Sequence, residues 1–128
     1  MAKILIVDDE PAILELFKYV FEDAGHRVTV ASNGLEALAC IASDIPDFIV
    51  LDVTMPEMSG KEFALELKSL SQGDARLSRI RFVVMTGENF MDAGLNRAFA
   101  STPGFVCFFP KMIPPEIVLQ KAAEVLKR

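Results

Sequence analysis

Short apolar runs and amphipathic stretches alternate along the whole chain. The apolar runs, each about five residues long, are KILIV (3–7), HRVTV (26–30), DFIVL (47–51), RFVVM (81–85) and FVCFF (105–109). Their content of Val, Ile, Leu and Phe is typical of strands. Because most positions in four of these five runs are apolar, rather than every second one, the pattern predicts strands that are covered on both faces, as in a parallel sheet.

Helical periodicity fills the intervals between these runs. The segment PAILELFKYVFEDAG begins with a proline suited to a first helical position and places Phe17 and Phe21 on one face. In NGLEALACIAS, Asn33 is a suitable N-cap. Three further helices are predicted in SGKEFALELKSLS, FMDAGLNRAFAS and PPEIVLQKAAEVLKR. Strands that alternate with helices in this way predict an α/β fold with right-handed crossovers and helices on both faces of the sheet.

Polar residues stand where four of the predicted strands end. Asp8 and Asp9 follow the first strand, Asp52 the third, Thr86 the fourth and Lys111 the fifth. In an open parallel sheet, ligands bind beyond the carboxyl ends of the strands, at the point where the strand order reverses. We therefore expect these five side chains to lie close together.

Such a group of side chains suits a metal ion and a phosphoryl group. Carboxylates about 5 Å apart repel one another by roughly 3 kcal/mol per pair at an effective dielectric of about 20. A hard cation removes that repulsion, and Mg²⁺ is the expected ion for a water-accessible site of oxygen ligands. A hydroxyl and an ammonium beside the metal are what an anionic phosphoryl group requires. Considered without the other residues, Asp8 and Asp9 are also explained as acidic residues that meet water where a strand leaves the core, without any bound metal.

Composition restricts the class of protein further. With 128 residues, 52% of them hydrophobic, the chain is expected to form one domain with a single core. No apolar run approaches the ~18 residues needed to cross a bilayer, and the three acids after the first run are not compatible with a signal peptide. The net charge of −5 argues against direct binding of nucleic acid. Cys40 and Cys107 lack metal-ligand spacing, so we expect reduced cysteines and a cytoplasmic protein.

Four motifs in order carry a family resemblance. They are VDDE (7–10), LDVTMPEMSG (51–60), MTG (85–87) and the lysine at 111. With them the chain resembles, over its whole length, the receiver domain of bacterial two-component response regulators. The resemblance implies a flavodoxin-like, doubly wound sheet of five parallel strands in the order 2-1-3-4-5, with five helices. It also implies that residues 1–128 form a single receiver domain.

The resemblance implies a phosphorelay function as well. A phosphoryl group would pass from a phosphohistidine of a sensor histidine kinase, or of a histidine phosphotransfer protein, to Asp52 in the presence of Mg²⁺. Asp9 corresponds to a direct metal ligand and Asp8 to a neighbour that acts through water. Asp52 itself and the backbone carbonyl of Thr54 complete the metal site. The chain would be a signalling phosphoacceptor, and it would catalyse nothing beyond its own phosphorylation and dephosphorylation.

A switch and an output surface are implied in the same way. Thr86 and Lys111 correspond to the groups that hold the phosphoryl oxygens, and Phe108 corresponds to an aromatic residue that changes rotamer on phosphorylation. The expected output is a change in protein contacts, with an unidentified partner or with a second copy in a homodimer. The expected surface combines the fourth predicted helix, the fifth strand and the fifth helix.

The chain departs from the family at two places, and alternatives follow. Met112 stands where the family usually has a proline in a cis peptide, and the segment SQGDARLSRI (71–80) is longer than usual. One alternative is therefore a degenerate receiver that binds partners without being phosphorylated. A second, a phosphatase of the haloacid dehalogenase class, requires a second aspartate two residues after the nucleophile. Thr54 occupies that position, which excludes this class.

Overall fold

The computed structural model of the chain describes residues 2–52, 60–86, 97 and 99–126. Thr54 and most of the fourth predicted helix (90–101) lie outside the described residues.

Five parallel strands form one sheet in the order β2-β1-β3-β4-β5, which confirms the predicted order. The strands are β1 (Lys3–Val7), β2 (Arg27–Ala31), β3 (Phe48–Asp52), β4 (Arg81–Thr86) and β5 (Phe105–Pro110). β1, β3 and β4 are buried along nearly their whole length. The outer strands β2 and β5 are more exposed, because each has a neighbour on one side only.

Four α-helices lie within the described residues: α1 (Pro11–Asp23), α2 (Gly34–Ser43), α3 (Gly60–Gly73) and α4 (Pro115–Leu126). The helix named α4 is the fifth of the helices predicted from the sequence. Local sequence explains where α1 and α2 begin. Pro11 occupies the first turn of α1. Asn33 caps α2, and its Oδ1 accepts a hydrogen bond from the Glu36 backbone N–H at 2.9 Å. A short 3₁₀ helix, Leu77–Arg79, lies within the long segment before β4.

The sheet separates two apolar layers. One side packs against α2 and α3 through residues such as Leu5, Ile41 and Phe63. The other side packs against α1 and α4 through residues such as Phe17 and Val118. Coverage of both faces explains why the central strands are continuously apolar, as the sequence predicted.

A β-bulge interrupts the pairing of β4 with β5. Phe82 pairs with Phe105, but the next residue, Val83, pairs with Cys107. The extra residue reverses the alternation of side chains along β5. Phe105 and Phe108, three positions apart, therefore both pack on the side of the sheet that carries α2 and α3.

Within the described residues, every helix is too short or too polar to cross a membrane.

Candidate functional site

Strand register brings the predicted site residues to one end of the sheet. Val7 pairs with Leu51, so Asp8 and Asp52, each the next residue in its chain, leave neighbouring strands side by side. Thr86 pairs with Pro110, and the Lys111 backbone N–H donates to the Thr86 carbonyl oxygen at 3.2 Å. Parallel strands end at the same edge of a sheet, and this is why distant sequence motifs meet here.

The Lys111 ammonium contacts several carboxylates at this edge. Its Nζ lies 2.9 Å from Asp52 Oδ2, 3.3 Å from Glu10 Oε1 and 4.0 Å from Asp8 Oδ1. Asp52 and Asp8 are buried, whereas the Glu10 side chain is 58% exposed. The lysine neutralises part of the negative charge that the carboxylates concentrate here.

Asp8 carries an unsatisfied buried atom. Its Oδ1 accepts a hydrogen bond from the Glu10 backbone N–H at 2.9 Å. Its Oδ2 is buried without a hydrogen-bond partner among the described residues. Burial, together with the nearby charge of Asp52, raises the pKa of Asp8 to about 6 from 3.8, against the lowering effect of the Glu10 amide. A buried carboxylate oxygen without a donor is what a bound cation would satisfy, so the residues present fit a metal ion.

Carboxylates suitable for a metal cluster at the end of β1. Asp8, Asp9 and Glu10 each offer an oxygen, and these three oxygens lie within 4.8 Å of one another. Asp9 and Glu10 are exposed and can present oxygens to a hydrated ion. Asp52 is linked to this cluster through Lys111, whose Nζ contacts both Asp52 Oδ2 and Glu10 Oε1.

The lysine is fully charged in this setting. Partial burial lowers the pKa of Lys111, but its hydrogen bond to Asp52 and the charges of Asp52 and Asp8 outweigh burial and raise that pKa to about 12. The ammonium is therefore available as a permanent positive charge for an anion bound at this end of the sheet.

The two predicted switch residues lie nearby, on β4 and β5. Thr86 is the last residue of β4 and is buried. Phe108 is half-buried, and its ring centroid lies 5.1 Å from that of Phe105 and 5.7 Å from that of Phe99. Phe108 pairs with Val84, two residues before Thr86.

The structure adds Glu10 to the residues that the sequence predicts for this site. Glu10 belongs to the acidic motif VDDE, and its carboxylate contacts Lys111. The peptide after Lys111 is trans, since the described residues contain no cis peptide bond. Met112, which replaces the usual proline, is 92% exposed. The predicted metal ligand Thr54 lies outside the described residues.

Comparison with known families decides the class of the chain. The model of the response regulator receiver domain matches residues 4–122. The chain belongs to the response regulator receiver family. Receiver domains of this kind are signalling phosphoacceptors rather than classical enzymes, and they interact with histidine kinases, phosphotransfer proteins and output domains.

Individual relatives agree with this assignment. The response regulator MprA of Mycobacterium ulcerans is 34% identical over 98% of this chain and 50% of its own length, so the chain spans about half the length of that relative. An uncharacterised 14.6 kDa protein of Leptolyngbya boryana is 38% identical over 75% of this chain and 72% of its own length.

Solved receiver structures share the fold. The chemotaxis protein CheY4 of Vibrio cholerae superposes with a TM-score of 0.82 at 30% identity, covering 98% of both chains. The response regulator TrrA of Thermotoga maritima, in complex with Mg²⁺ and BeF, gives a TM-score of 0.77 at 27% identity, covering 98% of this chain and 99% of its own. The predicted receiver family is thus confirmed, as is the predicted doubly wound sheet with strand order 2-1-3-4-5, which is the fold of CheY4.

Proposed function

We propose that this chain accepts a phosphoryl group on Asp52 from the phosphohistidine of a sensor histidine kinase or a histidine phosphotransfer protein. The observation that carries the proposal is the contact at the end of β3. The Asp52 carboxylate is buried, and Lys111 Nζ lies 2.9 Å from its Oδ2. A buried carboxylate with a permanent cation beside it provides both a nucleophile and a group that neutralises an arriving phosphoryl oxygen.

The transfer is a single displacement at phosphorus. A carboxylate oxygen of Asp52 attacks phosphorus, and the P–N bond of the donor breaks. The electron pair of that bond stays with the imidazole nitrogen, and the product is an acyl phosphate on Asp52. Lys111 and the hydroxyl of Thr86 hold the oxygens of the transferred group.

Mg²⁺ belongs to the same proposal. Asp8, Asp9, Asp52 and the backbone carbonyl of Thr54 would hold the ion, and the unpartnered Oδ2 of Asp8 supports this choice. When bound, Mg²⁺ supplies positive charge that neutralises phosphoryl oxygens during transfer. The acidic residues of this chain would hold the ion, and with it a positive charge, at the carboxyl ends of β1 and β3.

The output of phosphorylation would be a change in protein contacts. We propose that residues 1–128 act as one receiver domain and that a partner, or a second copy, binds a face including β5 and α4. Along β5, residues 105–109 are all half-buried on the outer strand of the sheet. On α4, Ile117 is 42% exposed. An apolar edge of this kind suits a protein partner whose binding depends on the state of the neighbouring site.

Labelling of Asp52 tests the proposal. Asp52→Asn should abolish incorporation of phosphate from acetyl phosphate or from a phosphohistidine donor, because a carboxamide is a poor nucleophile. Asp44→Asn is the matched control, since Asp44 is an exposed carboxylate paired with Lys3 at 2.7 Å. Intact-mass measurement should show one added phosphoryl group in the wild type and in the control only. Equal labelling of the Asp52 variant would exclude Asp52, and no labelling of the wild type would identify a degenerate receiver.

A further inference from the structure

Glu10 stands at the start of α1 but does not cap it. It occupies the N-cap position with extended backbone, and its side chain makes no capping hydrogen bond within the described structure. Ser, Thr, Asp and Asn are the residues that normally stabilise this position. The choice of glutamate is therefore not explained by the stability of the helix.

The backbone and the side chain of Glu10 are both directed to the phosphorylation site. The Glu10 N–H donates to Asp8 Oδ1 at 2.9 Å, which fixes the backbone beside the buried acid. Its Oε1 lies 3.3 Å from Lys111 Nζ, only slightly further than the 2.9 Å between Lys111 and Asp52. The Lys111 ammonium is thus shared between a buried carboxylate and an exposed one.

This arrangement affects a phosphoryl group that must use the same ammonium. We propose that Glu10 is a positioning residue that competes with the incoming phosphoryl group for Lys111 and so slows phosphorylation of Asp52; this inference rests on the proposed function. Glu10 is 58% exposed, so its ion pair is screened by water and easily broken. It therefore retards the transfer without preventing it.

The expected effect follows from the strength of exposed ion pairs. Glu10→Gln removes the negative charge of this side chain and keeps nearly the same shape. Lys111 then has one competing carboxylate fewer when the phosphoryl oxygens arrive. We expect the initial rate of labelling by acetyl phosphate to rise about two- to fivefold, the range that an exposed pair of ~0.4–1 kcal/mol corresponds to. The measurement uses a concentration of Mg²⁺ that saturates each variant, so that a change in metal affinity does not enter.

Three comparisons separate this role from a general change in charge or structure. Glu22→Gln, an exposed glutamate about 18 Å further along α1, makes the same change in net charge and should leave the rate unaltered. In a Lys111→Met background, Glu10→Gln should have no further effect, because the two residues act as one unit. The gain should also shrink at about 1 M salt, where the Debye length is about 3 Å.

The outcomes distinguish this inference from the proposed function. If the wild type is labelled on Asp52 but Glu10→Gln is labelled no faster, the inference alone is wrong. If Glu10→Gln is equally effective with and without Lys111, Glu10 repels the donor directly and the positioning role is overturned. If the wild type is not labelled at all, the proposed function fails and the inference fails with it.

Discussion

Lys111 Nζ and Asp52 Oδ2 lie 2.9 Å apart although 59 residues separate them in the chain. The contact is possible because only β4 separates β3, the central strand, from β5 at the edge of the sheet. It pairs the proposed nucleophile with a cation before any phosphoryl group arrives. Loss of either partner should therefore alter the reactivity of the site more than its fold.

The lysine can be tested by removing its charge. Lys111→Met should slow phosphorylation of Asp52 by about tenfold to a hundredfold, because a hydrogen bond to a charged group contributes ~1.5–3 kcal/mol. Lys121→Met is the matched control, since Lys121 pairs with Glu124 at 3.4 Å on the surface of α4. Initial rates of labelling by acetyl phosphate provide the measurement. A rate for Lys111→Met equal to that of the control would show that the ammonium does not assist transfer.

The pKa of Asp8 leads to a prediction about pH and metal. This pKa is raised to about 6 in the folded chain from 3.8, so the folded state binds a proton more tightly than the unfolded state does. The stability that Asp8 contributes is present below 3.8 and is lost as pH rises through about 6. In EDTA, the free energy of unfolding of the wild type should therefore fall, relative to Asp8→Asn, between these two values.

Mg²⁺ should reverse this difference. Above pH about 6 the Asp8 carboxylate is ionised and can help to hold the ion, so added Mg²⁺ should stabilise the wild type more than Asp8→Asn. Urea unfolding of both variants across this pH range, with EDTA and with Mg²⁺, gives the measurement. Parallel curves for the two variants in EDTA would mean that Asp8 titrates normally, and equal stabilisation by Mg²⁺ would remove Asp8 from the metal site.

A second structural prediction concerns two glycines with positive φ. Gly25 has φ +95° and open space where a Cβ would stand, whereas at Gly104, with φ +90°, a Cβ would overlap the Ile80 carbonyl oxygen. Gly25→Ala should cost about 1–2 kcal/mol from backbone strain alone. Gly104→Ala should cost a further ~1–3 kcal/mol, because the chain before β5 must move away from Ile80. Urea unfolding of the two variants tests this; equal losses would show that the contact with Ile80 relaxes without cost.

The sequence predicted the strands and the convergence of the site because both follow from local pattern and from the geometry of parallel sheets. Apolar runs ended by Asp8, Asp52 and Lys111 must bring those residues to one edge once the strands align. The bulge in β5 was not predictable in this way. A regular strand with a period of two residues would place Phe105 and Phe108 on opposite faces, whereas the bulge places them on the same one.

Long-range side-chain contacts were also beyond local reasoning. The pairing of Glu10 with Lys111 depends on the conformation of two exposed or half-exposed side chains from opposite ends of the chain. Burial along α3 shows a related limit. The spacing of Phe63, Leu67 and Leu70 in SGKEFALELKSLS predicts that all three share one apolar face; Phe63 and Leu67 are buried, but Leu70 is 44% exposed. Helical periodicity shows which residues share a face, but it does not show whether the packed elements extend far enough to cover every residue of that face.

The bulge places Phe108 where it can respond to the site. Val84 pairs with Phe108, and Thr86, two residues further along β4, projects on the same side of the sheet as Val84. Phosphorylation adds up to two negative charges and new acceptor oxygens at Asp52. We expect these oxygens to draw the Thr86 hydroxyl toward them, and Phe108 to turn inward beside it. Its contacts with Phe105 and Phe99 would then change as well.

Thr86→Ala tests this coupling. The variant should still be phosphorylated on Asp52, but the equilibrium toward the switched state should weaken about two- to tenfold, the value of one hydroxyl hydrogen bond of ~0.5–1.5 kcal/mol. A complete switch from 1:99 to 99:1 requires ~5.5 kcal/mol, so loss of one bond reduces the response without abolishing it.

Thr29→Ala, an exposed threonine on β2, is the matched control. Amide chemical shifts of apo and beryllofluoride-treated protein, compared from Phe105 to Lys121, give the measurement. Changes confined to the surroundings of Asp52, with Phe108 unmoved in every variant, would show that the output is read at another surface.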